Sequence, residues 1–269
     1  FRGYDSPILI SSNVSLFYDI DNKVFDINND FYGDFSFSLP YYQVQTSLNN
    51  VRWLVMENSI KFSNSENSTV MSSVLSKSNK FLDWSLPVEK AHIDLNEKTL
   101  TLNGVNELQV SDAYIIPNRE TVLIRESFVI DELTKAELIL DTLNEFHKFV
   151  DANIKVESKN KFEGKGIYEY INFNEDTFKI PFSEFELRDM EDESGNIRLA
   201  TFSSGSVDKS NPILMEPGFN FFGNIELFSS NEQLLFNGSI IPSEVEGFKF
   251  DDAISFNEYF IPGEELALN

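Results

Sequence analysis

Phe162-Glu-Gly164-Lys-Gly166-Ile-Tyr168-Glu-Tyr170 sets two glycines around a lysine, between aromatic residues. A phosphate-cradling loop needs Gly-Lys followed by Ser or Thr at the start of a helix. A dinucleotide fingerprint needs a third glycine and a helix. Here Ile-Tyr-Glu-Tyr follows, which alternates as a strand does. Backbone amides committed to a ladder cannot converge on a phosphate. The stretch reads as a strand with Phe162, Gly164, Gly166, Tyr168 and Tyr170 on one face. Its glycines leave a slot that neighbouring rings or a close backbone can fill.

Two patterns extend this reading along the chain. Phe-x-Gly recurs at Phe31/Gly33, Phe162/Gly164, Phe221/Gly223 and Phe236/Gly238. An alanine followed by same-parity apolar residues recurs at Ala91, Ala113, Ala136 and Ala152. Small residues and branched aliphatics that return at such intervals mark equivalent inward positions of stacked strands. Asp21-Asn22-Lys23, Asn96-Glu97-Lys98 and Asn103-Gly104 supply turns between short alternating runs. The expected fold is all-β: a stacked β-solenoid, parallel β-helix-like, or an elongated β-sheet stack. A β-sandwich pair is the alternative. Residues 132–150 also fit an amphipathic helix through Leu133, Ala136, Leu140 and Leu143, and that choice stays open. A shorter helix over Val70 to Phe81 competes with a loop.

The expected division is an N-terminal β segment (1–62), a Ser/Asn-rich loop (63–79), a repetitive β segment (80–243) and a C-terminal extension or linker (244–269). With 269 residues the chain can bury a sizeable core. It opens on Phe1, as expected of a processed or partial product. No run approaches the length of a spanning helix, so the segment is expected to be soluble or membrane-adjacent.

Twenty-one basic against 44 acidic residues give a formal charge of −23, which disfavours nucleic acid. The absence of cysteine removes disulfides, zinc–thiolate sites and thiol nucleophiles together. Phe, at 26 residues, points to strands with aromatic packing.

Catalytic signals are sparse. His92 and His147 are the two histidines, and both read as surface or packing residues. Ser204-Gly205-Ser206 lacks the flanks of a nucleophile elbow. Carboxylate pairs suited to glycoside hydrolysis arise by chance among so many acids. Asp26, Asn28 and Asp30 match the first ligand positions of a calcium loop, but Phe31 and Phe37 stand where Gly and a closing Glu belong. Calcium is therefore the one cofactor considered. Tyr168, Tyr170, Trp53 and Trp84 are candidates for stacking on a glycan or a partner protein.

A further signal lies in Phe81-Leu-Asp-Trp84, Gly104-Val105, Val110-Ser-Asp-Ala113-Tyr-Ile-Ile-Pro117 and Phe146-His147-Lys-Phe149-Val-Asp-Ala152. Gly164-Lys-Gly166-Ile-Tyr168-Glu-Tyr170 and Phe222-Gly223-Asn-Ile-Glu-Leu227 continue it. Together, over residues 80–243, these resemble part of a large group of Bacteroidota cell-envelope proteins with repetitive β structure. The resemblance implies a segment of a much larger exported polypeptide, in the periplasm or at the cell surface, associated with the outer membrane. It implies protein partners in an envelope complex and brings no catalytic motif. The expected function is thus a non-catalytic structural or interaction segment. The alternatives are a carbohydrate-binding or carbohydrate-processing β-helix and a lipid-conduit β-groove.

Overall fold

A computed structural model describes residues 6–29, 35–64, 71–191, 195, 197–216, 218–242 and 253–261. The described residues contain strands, short 3-10 turns and no α-helix. They form two compact units. The first comprises residues 1–108, 116–133 and 155–160; the second comprises 109–115, 134–154 and 161–269.

In the first unit the chain lays down hairpins alternately in two sheets. β1 (Val14–Asp19) and β2 (Val24–Asn29) start an eight-stranded sheet, and β3 (Phe37–Leu39) and β4 (Val44–Thr46) start a four-stranded one. β5 (Asn50–Leu54) and β6 (Ser59–Ser63) return to the first sheet, then β7 (Ser72–Ser76) and β8 (Ser85–Val88) complete the second. β9 (Lys90–Asp94) and β10 (Thr99–Asn103) return again. After β11 (Leu108–Val110) and β12 (Ala113–Ile116) have entered a third sheet, β13 (Thr121–Arg125) and β14 (Val129–Ile130) close the first sheet's order.

Alternation along each strand aligns inward residues across neighbours. One row runs Ile27, Val51, Phe62, Ala91, Leu102 and Val122; the next runs Phe25, Trp53, Ile60, Ile93, Leu100 and Ile124. The four-stranded sheet covers this face, and the rings of Phe37 and Phe62 meet edge-on at 6.2 Å between centroids. Hairpins within each sheet need tight turns. Left-handed residues make them at Gln43, Asn58 and Ser127, beside 3-10 turns at Pro40–Tyr42, Val55–Glu57 and Glu126–Phe128. Phe81 and Trp84 of the β7–β8 turn meet Phe128 of the β13–β14 turn, three rings in mutual contact.

In the second unit the strands are longer and belong to one eleven-stranded sheet. β15 (Leu133–Leu140), β16 (His147–Ser158), β17 (Lys161–Ile171), β18 (Thr177–Glu191) and β19 (Ile197–Val207) follow β12 in its order. β20 (Ile213–Glu216) pairs with β21 (Phe219–Phe228), and β22 (Leu234–Pro242) and β23 (Ile254–Phe260) end the sheet. The sheet curls on itself. The rings of Tyr170 on β17 and Phe236 on β22 lie 5.9 Å apart although three strands separate them in the order.

Bulges and glycines produce that curl. Lys135, Asp151 and Glu184 take left-handed conformations inside strands, and the β18–β19 register shifts between Ser183 and Glu186. Phe182 stands in register between Gly166 on one side and Gly205 on the other. Gly223 faces Gly238 directly, with Phe221 opposite Ile240 and Ile225 opposite Phe236. A Cβ on Gly223 would sit 2.5 Å from the Gly238 Cα, at a φ of +144° that side chains avoid. The Phe221 and Phe236 rings meet at 5.0 Å and cover this pair. The Phe-x-Gly repeats at Gly164, Gly223 and Gly238 are therefore sites of close backbone approach within strands; Gly33 lies outside the described residues.

Several expectations change. Every ladder whose register is described is antiparallel, not the parallel rungs of a β-helix, and no sheet closes among the described residues. Ser72–Ser76 lies inside the expected loop over 63–79 but is β7, with Ser72, Val74 and Ser76 buried on one face. Residues 132–150 hold β15 and the start of β16, so the helical alternative fails. All four alanines are buried. Ala113, Ala136 and Ala152 occupy successive neighbours β12, β15 and β16, while Ala91 sits on β9 of another sheet.

Candidate functional site

The residues able to do chemistry gather in the second unit, around the start of β16. His147 follows a turn in which Asp141 accepts hydrogen bonds from the Leu143 N–H and the Asn144 amide. That turn starts β16 with His147 pointing inward, fully buried. Its Nε2–H donates to the Asn231 carbonyl at 2.7 Å, so Nδ1 accepts from the Tyr168 hydroxyl at 3.3 Å. Burial lowers the His147 pKa, a shift that hydrogen bonding to backbone carbonyls partly opposes. Burial likewise raises the Tyr168 pKa far above its ordinary value. The imidazole is therefore neutral, with both nitrogens engaged. It ties the turn after β21 to β16 and β17 and has no open lone pair to offer a substrate.

A cleft of about 500 Å³ opens beside this pair, lined by Phe146, Lys148, Tyr168, Glu169, Ile171, Glu232 and Ile261. Its charges are largely matched: Lys148 pairs with Glu137 at 2.6 Å, and Glu169 with Lys179 at 3.5 Å. The walls are mixed apolar and acidic, without a nucleophile–base pair.

A second polar cluster forms at the β11–β12 turn. Asp112 accepts from the Thr201 hydroxyl at 2.6 Å, from the Thr201 N–H at 2.8 Å, and from the Ser229 hydroxyl. The Asp141 N–H donates to the Asp112 carbonyl at 2.9 Å. Three donors hold the carboxylate in place. With no imidazole alongside, it has no partner for nucleophilic catalysis, and it acts as a clasp between β12, β19 and the end of β21. No local pattern marks it, because its partners lie 89 and 117 residues away.

The expected site residues are dispersed. Asp26 and Asn28 lie on β2, extended and paired on both sides, not on a loop that could wrap an ion. Asp26 faces the Arg52 guanidinium at 3.3 Å. Asp30 is outside the described residues. Among the described residues no three His, Cys, Asp or Glu side chains converge as a metal would require. Tyr168, Tyr170 and Trp84 are buried, so none offers a stacking face. Trp53 is half-buried and stacks on Phe25 at 5.2 Å, which stacks on Tyr18 at 4.3 Å. His92 lies on the outward side of β9, opposite Lys61 and Thr101. Ser204-Gly205-Ser206 lies near the C-terminal end of β19, all three laddered to β21 and the first two also to β18. The concave face of the curled sheet is filled by Phe149, Phe162, Tyr168, Phe182 and Phe185 in ring contact.

No family model, curated protein or solved structure matches the chain.

Proposed function

We propose that this chain is a non-catalytic structural and interaction segment of a large exported cell-envelope protein, working with protein partners in an assembly at the outer membrane. One observation supports the proposal: the groups able to do chemistry join strands to one another, while among the described residues the sheets end in strands with a single neighbour. His147 and Asp112 each anchor a turn to distant strands. The eight-stranded sheet ends in β1 and β14, and the eleven-stranded sheet in β23. Free edges are natural sites for lateral association. The hairpin pairs that begin at Val14, Asn50 and Lys90 each add two strands to the eight-stranded sheet before the chain crosses over. That regular crossing is the rung of a solenoid-like stack built with antiparallel strands. The envelope setting rests on the resemblance of residues 80–243 to Bacteroidota envelope proteins. No cofactor is part of the proposal.

Purification of the native full-length protein from fractionated cells tests it. The expected result is recovery with the outer-membrane fraction, together with stoichiometric envelope proteins. Recovery alone in the cytosol would overturn it, as would glycan turnover abolished by a single carboxylate substitution.

A further inference from the structure

The outer face of β19, β21, β22 and β23, in the second unit, is nearly free of charge. Alternation sends Phe221, Ile225, Phe236 and Phe256 inward, so their neighbours along each strand face out. Charged residues make up 24% of the chain. Yet from Ser204 to Ser206, Phe222 to Glu226, Leu235 to Ser239 and Ser255 to Tyr259, every outward position but Glu226 is uncharged. Across the middle of this face, Asn224, Asn237 and Asn257 stand in register on three consecutive strands. β21 and β22 are each paired on both sides, so two of the three lie away from any edge.

Asparagine is a poor strand former, because its side chain competes with the backbone for hydrogen bonds. Three in register could offset that by bonding to one another, as amide ladders do. These do not: all three are exposed, and their side-chain amides make no hydrogen bond among the described residues. The Gly223–Gly238 pair lies beside Asn224 and Asn237, and the Phe221 and Phe236 rings fix the strands from beneath. The amides are thus held one strand spacing apart, about 5 Å, on firm backbone and with donors and acceptors unused. Tyr259, 57% exposed, stands two residues from Asn257 on the same face. Phe222, on the other side of the row, already has the Lys209 ammonium over it, 5.4 Å from the ring centroid.

We propose that this face binds a neutral glycan. Each amide both donates and accepts, as sugar hydroxyls do, and the open ring of Tyr259 can take the apolar face of a sugar. Charge selects against other occupants. The outward positions offer an anionic polymer no cation, and the chain's charge of −23 repels it. A basic partner finds one carboxylate here and stronger attraction elsewhere on so acidic a chain. An uncharged, hydroxyl-rich ligand matches the amides and meets no repulsion. Binding without turnover is expected, because glycoside hydrolysis uses two carboxylates and Glu226 is alone among the outward positions. The inference stands on this face, independent of the envelope setting and of the protein partners proposed above.

Native electrophoresis through gels that contain a soluble polysaccharide tests it. Laminarin, xyloglucan, galactomannan and α-mannan serve as neutral probes, and polygalacturonate as the charged one. At least one neutral polymer should retard the chain, equally at low and high salt. Asn237→Ala and Tyr259→Ala should each weaken that binding on the order of tenfold. Both side chains are exposed, so the melting temperature of each variant should stay that of the parent chain. Leu143→Ala, at an exposed turn outside this face, should bind as the parent chain does. Free mobility in all four neutral gels would overturn the proposal. So would retardation by polygalacturonate alone, retardation that salt abolishes, or binding indifferent to both substitutions.

Discussion

The two units solve one problem, burying a β core, by opposite means. The first stacks short strands in two sheets and turns the chain at corners, with left-handed residues such as Gln43, Asn58 and Ser127 placed between strands. The second keeps its strands long and bends the sheet itself, with Asp151, Glu184 and a set of glycines placed inside strands. Their cores differ accordingly. The first unit's central rows are mainly aliphatic, from Ile60 and Ile93 to Leu100 and Ile124. The second unit's concave face is lined with rings. A flat face can be tiled by branched side chains, whereas a curled one needs large rings over glycines where the backbones draw close.

The second unit should therefore be the more sensitive at its bends. Phe182→Ala removes the ring that lies between Gly166 and Gly205, and should cost about 3–5 kcal/mol in denaturant unfolding. A loss under about 1 kcal/mol would mean the glycines need no cover. Gly223→Ala should follow at roughly 3 kcal/mol, since its Cβ meets the backbone of Gly238 and its φ is unfavourable. The matching change in the first unit, Gly104→Ala, meets the Glu89 Cγ at 2.4 Å and its Cβ at 2.9 Å, side chain and not ladder backbone, at a corner with φ +76°. It should cost about 2 kcal/mol, from the left-handed backbone together with displacement of the Glu89 side chain. Equal effects at Gly223 and Gly104 would erase the distinction between bending a strand and turning a corner.

The smallest effect concerns pH and belongs to the second unit alone. Burial holds the His147 pKa below its ordinary value, so the unfolded chain binds the proton more readily than the folded one. The native neutral state has its full advantage above the unfolded pKa of about 6.5 and loses it as pH falls towards the folded pKa. Between pH 7.5 and 5.5 stability should drop by at most about 1.4 kcal/mol per pH unit, and His147→Asn should flatten that part of the profile. An unchanged slope in the variant would assign the loss to the carboxylates instead.

Much of the local structure was legible in the sequence. Alternation identified the strands, Asp21-Asn22-Lys23 marked the β1–β2 turn, and the glycines of Phe162–Tyr170 lie within a strand at close contacts with its neighbour. Period-two patterning says which way a side chain faces, but not which sheet its strand joins. The alternation of hairpins between two sheets was therefore invisible. β7 was hidden by its serines, because composition suggests a loop where burial of Ser72 and Ser76 makes a strand. The polar clusters were hidden by distance: His147 finds Asn231 84 residues away, and Asp112 finds Ser229 117 residues away.

The alternating hairpins also bear on how the first unit comes together. β5 docks on β2, and β9 docks on β6, so each hairpin that rejoins the sheet adds to an edge laid down earlier in the chain. Such a sheet can grow in the order in which the polypeptide is delivered, with little need for distant segments to find one another. A chain threaded through a narrow pore from its N-terminus would therefore gain structure step by step as it emerged. Each step would leave one fresh edge, ready for the next hairpin.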